Sequence, residues 1–306
     1  MNDIAALIAA TLSAGTPLLL AATGIVVSEK SGVVNLGTEG MMLVAAVAGF
    51  GAARISGVPE VGFLAGAAAG VVLALLFATL TLGLLTNQYA TGLALALFGA
   101  GLSAFLGQPL QGESLPARAG DGIPGLREIP FLGPAFFAQH WLVYFALVAV
   151  AVVAWFLFRS RPGLVLRAVG EAPEAAHALG IPVRRVRLAA LLFGGAFAGL
   201  AGSFLSVIYT PLWSEGMVAG RGWIALALVT FATWRPGRVL LGAYLFGGVT
   251  MLQFFLQGQG VELPTQLLAM TPYLATIVVL ALISRNPRWI RLNMPASLGK
   301  PFNPNA

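Results

Sequence analysis

The sequence predicts an all-α membrane protein, a single polytopic bundle of about nine helical spans (eight to ten) occupying residues 1–306. Three observations carry that expectation. Only 9% of the residues are charged and 58% are hydrophobic, where a soluble domain carries roughly a quarter charged. Apolar runs of roughly twenty residues recur along the chain, bounded by charges or by Pro/Gly clusters. No hydrophilic stretch is long enough to build a separate soluble domain.

The runs fall near 4–27, 33–53, 61–85, 88–108, 140–158, 188–209, 219–233, 238–257 and 265–284. The first follows Met1-Asn2-Asp3 with no basic residue ahead of it, so it lacks the n-region of a secretory signal and reads as a retained helix. The third carries Gly62, Gly66 and Gly70, and the sixth carries Gly195, Gly199 and Gly202. Small residues at helical spacing let backbones approach closely in lipid. The seventh run is short and flanked by glycine, which fits a tilted or re-entrant segment.

Orientation follows from Lys and Arg. If the loop 159–187 is cytoplasmic, Lys30, Arg235, Arg238, Arg285, Arg288, Arg291 and Lys300 share its side, thirteen basic residues in all. Arg54, Arg118, Arg127 and Arg221 are left outside. Basic residues collect on the cytoplasmic face, so the expected N-terminus is outside and the C-terminus inside. The net charge of +6 belongs to those loops rather than to nucleic-acid binding. The longest external loop, 109–139, is rich in Pro and Gly, and the outer surface is acidic on balance.

Few residues offer chemistry. Without cysteine there is neither disulfide nor thiolate, and His140 and His177 are too far apart to suggest a metal site. The two lysines, Lys30 and Lys300, lack the glycines of a phosphate-binding loop, and no hydrolase, zincin or kinase signature occurs. The chain is therefore expected to be no enzyme and to hold no cofactor. Asn35 and Glu39 are four apart and would share one face of the second span. A carboxylate at membrane depth costs roughly 2.5–3.5 kcal/mol on insertion scales, so Glu39 faces protein or a watery path. Asn35, Glu39 and Gln88 are accordingly candidates for the translocation path or for structural polar anchors. Gln253 and Gln257 are further neutral amides, and the tryptophans read mostly as an aromatic belt.

The loop 159–187 holds one short helix with clear limits. Pro173 opens it, Gly180 closes it in the left-handed conformation, and Pro182 prevents its resumption. Two turns are too few for a helix to stand alone in water, so this one needs support from the bundle and from a soluble partner.

Leu166-Arg-Ala-Val-Gly-Glu-Ala-Pro-Glu-Ala-Ala-His-Ala-Leu-Gly-Ile181, followed by the Gly-rich run 193–202, resembles the cytoplasmic coupling loop of ABC-importer permeases. The branch is the one that handles branched-chain amino acids, simple sugars and nucleosides. Glu29-Lys-Ser-Gly-Val-Val-Asn-Leu-Gly-Thr-Glu-Gly-Met-Met42 and Gly220-Arg-Gly-Trp-Ile-Ala-Leu-Ala227 resemble its nucleoside subgroup most. The resemblance implies a multi-pass protein of the bacterial inner membrane, paired with a paralogous permease subunit. A cytoplasmic ABC ATPase would drive it, and an extracytoplasmic substrate-binding (lipo)protein would deliver a nucleoside or, alternatively, a simple sugar. It also implies ATPase coupling through Arg167, Gly170, Glu171, Pro173, Glu174, Ala176, Leu179 and Gly180. Ala175, Ala176 and Leu179 would supply its small apolar contact, and Arg167, Arg184, Arg185 and Arg187 would meet acidic groups on the motor or in lipid.

Overall fold

The computed structural model describes residues 2–116, 122–259, 270–271, 274–275, 277–278 and 293–303. Among them the regular structure is helical, with one isolated bridge between Ser114 and Leu212. Ten α-helices follow in order: α1 (Asn2–Lys30), α2 (Thr38–Ser56), α3 (Pro59–Ala78), α4 (Gln88–Gly107), α5 (Trp141–Arg159), α6 (Arg161–Glu171), α7 (Pro173–Ala178), α8 (Val183–Phe204), α9 (Arg221–Phe231) and α10 (Pro236–Gly258). α3 and α8 each end in a π-helical turn, Thr79–Gly83 and Leu205–Tyr209.

Seven segments are long and apolar enough to cross a membrane, so the expected count of nine is not met among the described residues. The expected seventh span is α9, whose eleven residues reach only about 16 Å, half the roughly 30 Å hydrocarbon core. The expected ninth, 265–284, lies largely outside the described residues, as do Arg118, Arg285, Arg288 and Arg291. The second span begins later than its apolar run does. Gly32 takes φ +91°, and residues 33–35 are not helical.

α8 stands at the centre, packed by α1, α2 and α3. The glycine repeats of α3 and α8 face each other: a Cβ built at Gly195 would stand 2.5 Å from the Gly70 carbonyl oxygen, and one at Gly66 3.0 Å from that of Gly199. Hydroxyls bridge the helices where side chains are small. Ser28 Oγ donates to Ala190 O at 3.1 Å, Ser206 Oγ to Ala46 O at 2.7 Å and Ser103 Oγ to Leu43 O at 2.9 Å. Such bonds and close backbone contact hold helices together where lipid removes the hydrophobic drive between them.

The two ends of the bundle differ. One gathers Lys30, Gln88, α6, α7, the start of α8, Arg235 and residues 293–303. At the other, Arg54 pairs with Glu113 at 2.7 Å and Gln139 Nε2 donates to Ala9 O at 3.3 Å.

Candidate functional site

The loop 159–187 contains two helices where one was expected. α6 is opened by Ser160, whose Oγ accepts from Gly163 N at 3.0 Å, with Pro162 in its first turn. The Pro-Gly pair there looks like a loop signal in sequence but works as a helix start. After Glu171 the chain turns at Ala172 (φ −144°, ψ 81°) and enters α7 at Pro173. α7 closes with Ile181 N donating to Ala176 O at 3.0 Å and Gly180 N to His177 O at 2.8 Å. These are the two bonds of a Schellman closure, with Gly180 at φ +80°.

α7 buries Pro173 and Ala176 and exposes Glu174, Ala175, His177, Ala178 and Leu179. The expectation that Ala176 faces outward is therefore corrected. Ala176 packs inward with Val169, Val183 and Phe302, and the outward apolar contact is left to Ala175, Ala178 and Leu179. Leu179 is 81% exposed. Glu171 is exposed and accepts from Ala296 N at 3.4 Å. Gly170 lies against Lys30 O, where a side chain has no room. Arg167 stacks its guanidinium over the Phe158 ring at 5.5 Å. Arg184 and Arg185 are exposed, but Arg187 is only 1% exposed, which removes it from the expected set of outward arginines.

Arg187 is buried by residues 293–303, which sequence reasoning passed over for want of any periodic pattern. Its Nε donates to Ser31 O at 3.2 Å, Nη1 to Lys300 O at 3.2 Å and Nη2 to Ser297 Oγ at 3.0 Å. Ser297 Oγ in turn donates to Gly170 O at 2.6 Å, and Gly299 N to Gly32 O at 3.1 Å. Lys30 Nζ donates to Asn293 O at 2.5 Å, and the Phe302 ring meets His177 edge-on at 5.6 Å. A fixed guanidinium with three partners in three directions ties the start of α8, the loop after α1, the end of α6 and the back of α7 into one body.

The polar residues of the second expected span do not share a helix face. Asn35 precedes α2, and its Oδ1 accepts from Gly37 N at 2.9 Å, an Asx turn. Glu39 stands in the first turn of α2 and is 8% exposed. Its Oε1 accepts from Gly220 N at 2.8 Å and its Oε2 from Gly222 N at 2.7 Å. Glu39 thus caps the start of α9 from another helix. It supplies acceptors and negative charge to N–H groups that have no partner within the helix. Gln88, 1% exposed, accepts from Val34 N at 2.9 Å and donates to Lys300 O at 3.3 Å. The Glu39, Gln88 and Asn35 side chains each hold irregular backbone inside the bundle.

Arg221, expected among the external arginines, is half-buried. It opens α9 beside Glu39, donating to Met217 O and Val218 O at 3.2 and 3.1 Å. Trp213 and Trp234 are each 2% exposed and are not belt residues; Trp234 Nε1 donates to Glu29 Oε2 at 2.5 Å, anchoring the far end of α9. Among the described residues no three His, Asp or Glu side chains gather as metal ligands.

Residues 7–284 match the family described as branched-chain amino acid transport system / permease component. A putative glucose ABC transporter permease protein of Haloferax volcanii is 42% identical, with 99% of each chain covered. A nucleoside ABC transporter permease protein of Lactococcus lactis is 36% identical over 92% of this chain and 93% of that one. A guanosine ABC transporter permease protein of Bacillus subtilis is 32% identical over 90% of each. No solved structure matches the chain.

Proposed function

The chain belongs to the branched-chain amino acid transport system / permease component family, as an integral membrane ABC permease of the sugar and nucleoside branch, and on that premise we propose that it imports nucleosides. It works beside a paralogous permease subunit, with an ABC ATPase inside and a substrate-binding protein outside. The observation that carries the coupling reading is α7: six residues, closed at both ends, seated on the bundle by Pro173 and Ala176 and presenting Leu179. α7 docks in a groove of the motor, and Glu171 and Glu174 flank its positive end. Displacement of α7 travels through Gly170, Ser297 and Arg187 into α8 and the loop after α1. Alternating access follows from the movement of those helices against the partner permease.

In this reading the N-terminus is outside and the C-terminus inside, with the end that gathers Lys30 and α7 facing the cytoplasm. α9 enters from mid-depth and reaches only the cytoplasmic side. We assign Asn35, Glu39 and Gln88 to anchoring, since each is occupied by backbone partners. The nucleoside reading is supported by the Lactococcus and Bacillus relatives; the Haloferax relative favours glucose as the second reading.

Proteoliposomes holding this chain, its paralogue and the ATPase, with internal ATP and external binding protein, test both. ATP-dependent guanosine uptake blocked by other nucleosides and not by glucose is the expected result. ATP-dependent glucose uptake keeps the importer and changes the solute, and ATP-independent uptake by this chain alone overturns the importer. Burying a leucine contributes about 1.5–3 kcal/mol. Leu179→Ser is therefore expected to weaken ATPase binding about tenfold or more, read by titrating the motor onto the permease pair.

A further inference from the structure

Between α1, α9, α10 and the outer end of α8 lies a cavity of about 210 Å3. The rings of Tyr209, Phe246 and Phe254 line it together with Arg221, Thr250 and Gln253. Arg221 is held in place by two backbone carbonyls and lies over the Tyr209 ring at 5.8 Å. A guanidinium has five N–H donors, so others remain for a ligand. Thr250 Oγ1 donates to Phe246 O at 2.9 Å and keeps its acceptor lone pairs.

Gln253 stands out. It is 9% exposed and faces the cavity, yet among the described residues its amide makes no hydrogen bond. A side-chain amide carries two N–H donors and an acceptor oxygen, and Arg221 and Thr250 share its cavity.

We propose that this cavity is a solute-binding site for a neutral, polyhydroxylated ring, either a free sugar or the sugar of a nucleoside; the proposal rests on the importer reading above. Gln253 donates to and accepts from hydroxyls, Arg221 donates, and the aromatic rings cover the C–H face of the solute. The charge balance fits a neutral solute. Among the described residues Arg221 is the one charged residue on the lining, and Glu39, from α2, opposes it at the first turn of α9. Pockets enclosing drug-sized ligands occupy about 300–1,000 Å3, so this cavity takes one ring and leaves a nucleobase outside it.

The chain has no cysteine, which makes a single introduced thiol a clean reporter. In the reconstituted complex, with other subunits free of accessible cysteine, Gln253→Cys is labelled with sulfonatoethyl methanethiosulfonate. Saturating guanosine or glucose, whichever the wild-type complex transports, is expected to slow labelling at least fivefold. Gln257→Cys, one turn along α10 and outside the lining, is expected to label at an unchanged rate. Gln253→Leu is expected to raise the half-saturating solute concentration about tenfold, the effect of one lost hydrogen bond. Protection by glucose assigns a sugar site, and protection by guanosine without glucose assigns a nucleoside site. Transport with no protection at residue 253 overturns this proposal alone. Failure of the wild-type complex to take up either solute with ATP overturns the importer reading together with it.

Discussion

Glu39 is the residue on which the interior of the bundle turns. Its carboxylate meets two N–H groups of a helix that begins more than 180 positions later. Hydrogen bonds to a charged group contribute about 1.5–3 kcal/mol, and losing one leaves buried donors unmet. Glu39→Ala is expected to destabilise the protein by about 3 kcal/mol, with Glu39→Gln costing roughly half as much because one acceptor survives. Thermal unfolding in detergent measures both, and an unchanged Tm in Glu39→Ala would mean that α9 holds its place by packing alone. That a buried acid mattered was legible from hydropathy. Its partner was not, because the spacing of Asn35 and Glu39 mimics a helix face that the Gly32 turn and the Asn35 Asx turn interrupt.

At the scale of elements, α7 was legible because its limits are written in local chemistry: Pro173, Gly180 and Pro182. α6 was hidden by Pro162-Gly163, where the helix start carries residues that elsewhere mark loops. The segment 293–303 was hidden for a different reason. It has no periodicity, and what makes it structural is a set of contacts with residues 100 or more positions away. Arg187→Ala removes all three bonds from the guanidinium to this end of the bundle. Hydrogen exchange at residues 296–300 is expected to accelerate at least tenfold, and ATP hydrolysis by the motor to lose its dependence on solute. Retained protection would show that Phe302 and the backbone bonds to Gly170 and Gly32 suffice.

Over the whole molecule, the membrane bundle and its glycine seams were readable from composition and four-residue spacing. The span count was not. α9 has the hydropathy of a span and half the length, and only its caps, Glu39 at one end and Trp234 on Glu29 at the other, reveal where it begins and ends. The seam between α3 and α8 sets the position of the central helix, and it tolerates no side chain. Gly195→Val pushes against Ala74 and the Gly70 carbonyl, both 2.5 Å from the new Cβ. Overpacking of this kind costs about 1–3 kcal/mol or more. The variant is expected to lose its monodisperse peak in fluorescence-detected size exclusion, whereas Gly101→Ala, with open space at its Cβ, is expected to keep it.

The bond between Glu39 and the start of α9 also sets a schedule for synthesis. The acceptor leaves the ribosome 183 residues before the Gly222 donor. At about 5–20 residues per second that is a delay of roughly 10–40 s. Throughout it α2 has a carboxylate and no answering amide. A carboxylate at membrane depth costs roughly 2.5–3.5 kcal/mol, so entry of the nascent second helix is disfavoured by that much until residues 220–222 arrive.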